Sequence, residues 1–272
     1  MLNNITLGQY FPGESFLHQM DPRAKIMATM IFITGIFFAY DLKTYAIIAA
    51  VTITALAISK LPVGLILKSL KPLWILIVFT LAIHVFSTPG DVVWEWSFLK
   101  MTTQGIEQGS IMTARLVFLI VFSSLLTYTT SPIILTDGIE QLLNPFKSIG
   151  VPAHELAMMM TIALRFIPTL LEETERIMKA QTARGSDFSS GNVIARAKKM
   201  VPILVPLFIS AFRRADELAT AMEARCYHGG EGRTRLRTLM YTWRDTVGMG
   251  IVVVVTIGIA IMRWGEVILS WL

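Results

Sequence analysis

The sequence predicts an all-α, polytopic membrane protein with about five transmembrane helices and a separate region of long, charged helices. Three observations predict it. Of the 272 residues, 54% are hydrophobic and only 16% charged, and the mean hydropathy is +0.60, outside the range of a soluble domain of this length. Five apolar segments along the chain read as candidate spans. Between the fourth and the fifth lie 116 residues with fifteen basic and twelve acidic side chains, too charged for lipid and too rich in helix formers for a linker.

In chain order, the first 25 residues hold Asn, Gln, Glu, His, Asp and Arg and no apolar run. No cleavable signal peptide is therefore expected, and the first span directs insertion. Spans follow at 26–40, 44–59, 72–86 and 111–129, with the last at 247–262. Several are shorter than the ~20 residues that cross a hydrocarbon core, and gain length from flanking Lys, Trp and Tyr at the interface. The chain thus divides into four N-terminal spans (1–130), the charged helical region (131–246) and a C-terminal span (247–272). With a cytoplasmic N-terminus, 20 of the 24 Lys and Arg fall on the inner side, and only Lys43, Lys100, Arg115 and Arg263 on or near the outer side. That asymmetry predicts a cytoplasmic N-terminus and a cytoplasmic 131–246 region, with the turn at 41–43 and the loop at 87–110 outside. Placed this way, the net charge of +5 does not call for a nucleic-acid partner.

Within the charged region two helices are expected, 153–184 and 192–225, each apolar in its N-terminal half and charged in its C-terminal half. Pro168 in the first and Pro202 and Pro206 in the second are expected to kink them, because proline lacks the amide donor and crowds the preceding turn. Gly185, and Gly229 with Gly230, are candidate stop signals. The two helices share a pattern. At an offset of 41 residues, Ala180, Ala183 and Arg184 fall on Ala221, Ala224 and Arg225, and upstream Leu171 meets Phe212, Glu175 meets Asp216 and Ile177 meets Leu218. Each Arg is placed in the last turn of its helix. There the dipole favours a cation, so simple capping is one reading and a contact with a partner the other.

Chemistry-bearing constellations are sparse. A single cysteine, Cys226, excludes an internal disulfide and a cysteine-based metal cluster, and no metal site is expected. No span holds a carboxylate pair; His84 and the marginal Arg115 are nearly all the embedded polar residues, and His84 reads as packed or interface-facing. His154 and Glu155 lack the second His of a zinc-protease helix, which leaves an exposed helix start. The run HGGEGRT at 228–234 lacks P-loop spacing and follows a helix instead of a strand; it reads as a basic turn with Arg233, Arg235 and Arg237 near anionic headgroups. Met158, Met159 and Met160 read as packing.

Two motifs carry a resemblance. SFLHQMDPRAKI holds Ser15, His18, Asp21, Pro22, Arg23 and Lys25 just before the first span; LRFIPTLLEETERIMKAQTARG is followed by RRADELATAMEARCYHGGEGRT. In these segments, and over most of its length, the chain resembles the transmembrane T component of energy-coupling factor (ECF) transporters, the EcfT and CbiQ-like family. The resemblance implies that the two long helices are coupling helices, each ending in an x-Arg-x tripeptide that docks in a groove on an ATP-binding-cassette ATPase. Here these are Ala183, Arg184, Gly185 and Ala224, Arg225, Cys226, with Asp21, Pro22 and Arg23 as the family signature. Cys226 departs from a strict Ala-Arg-Gly repeat, which is consistent with two non-identical ATPases. The implied role is a non-catalytic subunit of an importer in the cell membrane. It has no cofactor of its own: ATP and Mg are bound by two partner ATPases of EcfA and EcfA′ type, and a small membrane S component captures the vitamin or metal ion.

The alternatives are a self-contained secondary transporter or channel, and a membrane enzyme. The first calls for ionisable residues at mid-membrane and broken helices in matched halves; the second for clustered acids, His or Cys at an interface. The spans show neither clearly.

Overall fold

A computed structural model describes residues 10–96, 99–188, 192–230 and 238–271. Its helices, in chain order, are α1 (Pro22–Phe38), α2 (Leu42–Ser59), α3 (Val63–Leu70), α4 (Trp74–Ser87), α5 (Thr103–Thr129), α6 (Pro132–Leu143), α7 (Ala153–Ala183), α8 (Val193–Ala224) and α9 (Trp243–Trp271). Between α4 and α5 an antiparallel hairpin pairs β1 (Val92–Trp96) with β2 (Leu99–Thr102). The chain forms two compact units, one of Gln9–Gly138 with Leu239–Leu272, the other of Ile139–Thr238.

In the first unit α1 packs against α9 and α5, and α4 lies along α5. The start of α1 is written in Asp21-Pro22: Asp21 caps by accepting the Arg23 amide at 2.9 Å, and proline at the first helical position forfeits no internal bond. The core is apolar and continuous, with Phe32 and Ile36 of α1, Ile48 of α2, Phe122 and Leu125 of α5 and Ile259 of α9 all buried. Phe32 stacks on Phe122 with ring centroids 4.0 Å apart. Among lipid tails this packing is held by close contact more than by exclusion of water, since the surrounding solvent is itself apolar.

Arg115, on α5, has specific partners in this packing. Its Nε donates to the Tyr45 hydroxyl at 3.0 Å and its Nη2 to the Ala39 carbonyl at 3.0 Å, so one guanidinium ties the end of α1 and the first turn of α2 to α5. His84 turns its Nδ1 to the Thr80 carbonyl of its own helix at 2.8 Å, in keeping with a packed residue. The α4–α5 junction is tight at Gly105, where a Cβ would lie 2.7 Å from the Val85 carbonyl oxygen.

Among the described residues five helices are long and apolar enough to cross a membrane: Leu42–Ser59, Val63–Ser87, Thr103–Thr129, Ala153–Ala183 and Trp243–Trp264. The expected number holds, but the membership differs. The first expected span forms α1, of 17 residues, which is shorter than these five. The apolar half of α7 qualifies instead, carried by its run AMMMTIALRFIP. The hairpin was not expected within the 87–110 loop.

In the second unit α7 and α8 pack on each other. Both stay helical through Pro168, Pro202 and Pro206. His154 is not simply an exposed helix start: its Nδ1 lies 3.0 Å from Glu140 Oε1, which fixes the first turn of α7 to the end of α6. Most of the HGGEGRT turn, with Arg233, Arg235 and Arg237, lies outside the described residues.

Candidate functional site

The two Arg-bearing tripeptides are built alike. At the end of α7, Arg184 is the C-cap and Gly185 follows in the left-handed region at φ +89°. The Gly185 amide donates to the Thr182 carbonyl at 3.0 Å and the Ser186 amide to the Gln181 carbonyl at 3.0 Å, the paired bonds of a Schellman ending. At the end of α8, Arg225 is the C-cap and Cys226 follows at φ +55°. The Cys226 amide donates to the Glu223 carbonyl at 2.9 Å and the Tyr227 amide to the Met222 carbonyl at 3.1 Å. The sequence repeat is thus a repeat of backbone geometry. It also corrects one expectation: α8 is stopped by Cys226, before Gly229 and Gly230.

All six tripeptide residues, Ala183, Arg184, Gly185, Ala224, Arg225 and Cys226, are exposed. Among the described residues neither Arg184 nor Arg225 has an acidic side-chain partner. Each cation stands over the negative end of its own helix, a favourable placement of about 0.3–1 kcal/mol that leaves all five guanidinium hydrogens available.

The helices meet at equivalent positions. Arg214 Nη2 of α8 reaches Glu173 Oε2 of α7 at 3.5 Å, and the two residues are 41 apart in sequence, the offset of the repeat. A contact between equivalent residues is what a pseudo-twofold axis requires. From it eleven residues lead to Arg184 on one helix and eleven to Arg225 on the other, arms of about 16 Å each at helical rise. Both partners of this ion pair are partly exposed, so it marks the register more than it stabilises it.

The signature residues lie in the other unit and form a clasp. Asp21, whose side chain is 1% exposed, accepts the Arg23 amide and a two-point grip from its guanidinium, Nε at 3.0 Å and Nη2 at 2.9 Å. Arg23 lies over the Tyr241 ring, 4.6 Å from its centroid, and donates to the Leu239 carbonyl. The fully buried Asp245 takes the Asp21 amide on one oxygen at 2.6 Å and the Thr242 amide on the other at 2.7 Å. One carboxylate near the start of α9 therefore serves the cap of α1. The Lys25 ammonium is spent on three oxygens, the carbonyls of His18 and Thr129 and the Thr130 hydroxyl. His18 holds the preceding turn, with Nε2 at 3.0 Å from the Phe11 carbonyl and Nδ1 at 2.6 Å from Ser15 Oγ. A carbonyl can only accept, so Nε2 is the donor to Phe11.

Asp245 is the residue that sequence reasoning missed. Its signal was present as Thr242-Trp-Arg-Asp245 before an apolar run, the spacing of a capping box.

A family model described as "Cobalt transport protein", CbiQ, matches residues 13–236, from the turn before the clasp to beyond the second tripeptide. The chain belongs to this CbiQ family. Its similarity to curated members extends over nearly the whole length. It is 58% identical to the "Energy-coupling factor transporter transmembrane protein EcfT" of Acidaminococcus fermentans, over 97% of this chain and 99% of that protein. The proteins of the same name in Brevibacillus brevis and Bacillus subtilis are 55% and 49% identical, over 96% and 90% of this chain and 98% and 93% of theirs. As a CbiQ-family protein the chain is a multi-pass membrane protein with a role in transport, and its relatives are named as transporter transmembrane components.

Proposed function

We propose that this chain is the coupling subunit of an energy-coupling factor importer in the cell membrane. It passes the motion of two ATP-binding-cassette ATPases, which hold ATP and Mg²⁺, to a small membrane protein that captures a vitamin or metal ion. It does no chemistry itself. Its N-terminus and the charged C-terminal halves of α7 and α8 face the cytoplasm, where the tripeptides around Arg184 and Arg225 dock one into each ATPase.

The observation that carries this reading is the pair of exposed arginines, without an acidic partner among the described residues, on matching helix ends equally far from the contact between Glu173 and Arg214. A guanidinium presents a rigid fork of donors and keeps its charge, so it suits a groove lined by carboxylates or carbonyls. Helices joined at equivalent positions convert a change in the distance between the two grips into a rotation of their membrane-side halves. Truncating one partner of such a buried pair costs about 2–5 kcal/mol, or roughly 30-fold or more in affinity per tip.

The test is charge reversal. Arg184→Glu and Arg225→Glu should each weaken co-purification of the ATPases and lower ATP-driven uptake in proteoliposomes, with the double variant worse, while insertion and monodispersity stay intact. Normal transport by the double variant would sink the proposal. Uptake by the chain alone, with no ATPase present, would instead favour a self-contained transporter.

A further inference from the structure

The membrane unit contains a cavity of about 380 Å³ between α1, α2, α5 and α9. Ala55, Phe122, Leu125, Ile251 and Val252 line its wall and Met20 closes one end. Four polar side chains reach it, Lys25, Thr29, Thr54 and Thr129, and none offers it a hydrogen. The three threonine hydroxyls donate at 2.7 Å to carbonyls of their own helices, those of Lys25, Ala50 and Leu125. The Lys25 ammonium is committed to the His18 and Thr129 carbonyls and the Thr130 hydroxyl. An internal water needs about two to four polar partners, and an apolar cavity of roughly 150 Å³ stays dry and takes up benzene. This larger cavity therefore suits an alkyl occupant and rejects a polar one.

Its position supplies the alkyl group. Three of its walls, α2, α5 and α9, are helices long and apolar enough to cross a membrane. α2 and α9 meet over only a short stretch, and Thr54, Ile58 and Ile251 are exposed beside the cavity, which opens it sideways to the bilayer. Cations frame one end. Lys60, exposed, follows Ile58 by two residues at the end of α2, and Arg244 stands one turn before Gly248 on the same face of α9, Ile58 and Gly248 both lining the cavity.

We propose that this cavity holds one acyl chain of an anionic phospholipid, inserted between α2 and α9, with its phosphate at Lys60 and Arg244. The inference stands whether or not the tips dock on ATPases.

The full-length chain is reconstituted in phosphatidylcholine nanodiscs with a small fraction of phosphatidylglycerol bearing a diazirine near the end of one acyl chain, and photolabelled residues are mapped by peptide mass spectrometry. Labelling is expected at Ala55 and Ile251 above that at Phe79, an exposed residue of α4. Ala55→Phe, which fills the cavity, should bring it down to the Phe79 level; Thr54→Phe at the opening tests the same point should the first variant fail to fold. Lys60→Gln or Arg244→Gln should each lower it about fivefold, the worth of one cation near an anionic headgroup, with Phe79 unchanged. Labelling at Ala55 and Ile251 that matches Phe79 and ignores both filling variants would overturn the proposal. So would equal labelling by a phosphatidylcholine probe, or a lipid signal displaced whenever a companion membrane protein is co-reconstituted.

Discussion

Replacing Asp245 with alanine tests whether the clasp holds the membrane unit together. The carboxylate is fully buried and is the acceptor for two backbone hydrogens, the Asp21 amide at 2.6 Å and the Thr242 amide at 2.7 Å. Truncation strands both amides inside the fold at about 1–3 kcal/mol each. It also removes the acid from the first turn of α9, about 0.3–1 kcal/mol more. The expected loss is therefore about 2–7 kcal/mol, and at about 2–4 °C per kcal/mol for a chain of this size class the melting temperature should fall by at least about 5 °C. Tryptophan fluorescence melts of the detergent-solubilised chain, which has six tryptophans, would measure it. Asp245→Asn keeps one acceptor and turns an amide donor towards the other N–H, so it should also melt below wild type. An alanine variant melting within about 2 °C of wild type would contradict the reasoning, because a stranded pair of buried amides cannot cost so little.

Three other changes have defined outcomes. Tyr45→Phe removes the acceptor of Arg115 Nε and should cost about 1–3 kcal/mol in the same melt, the penalty for a polar group left short of a partner. Gly105→Ala places a methyl 2.7 Å from the Val85 carbonyl oxygen and 2.8 Å from that of His84; forcing α4 from α5 should cost about 1–3 kcal/mol and speed proteolysis in the hairpin. Cys226→Gly relieves a side chain held at φ +55°, about 1–2 kcal/mol of local strain. It should slow hydrogen exchange at the Tyr227 amide, which bonds to the Met222 carbonyl, while Cys226→Val should hasten it.

Much of the fold is legible in the sequence because long apolar runs have few alternatives in a membrane. The second, third, fourth and last expected spans correspond to α2, α4, α5 and α9, and the two charged helices begin and end within a residue or so of their expected bounds. The apolar half of α7 was legible, but the charge density of the whole 131–246 region kept α7 out of the expected spans, although its acids and bases crowd into its second half. The hairpin between α4 and α5 is short, and its signal is weak beside that of the helices around it. At the tips, the 41-residue repeat anticipates matched endings, but Cys226 hides the second stop, because a left-handed residue is expected to be glycine or asparagine. The clasp was the least legible. Asp245 is 224 residues from Asp21 in sequence, and only the packing of α1 against α9 brings its carboxylate to the Asp21 amide.

The most direct test of the central claim replaces Ala183, and separately Ala224, each exposed beside its arginine, with benzoylphenylalanine in the assembled transporter and identifies what each position cross-links on illumination. Both positions should cross-link to nucleotide-hydrolysing subunits, and the yield should change when ATP is added. Cross-links to lipid alone, or to no ATPase from either position, would contradict it.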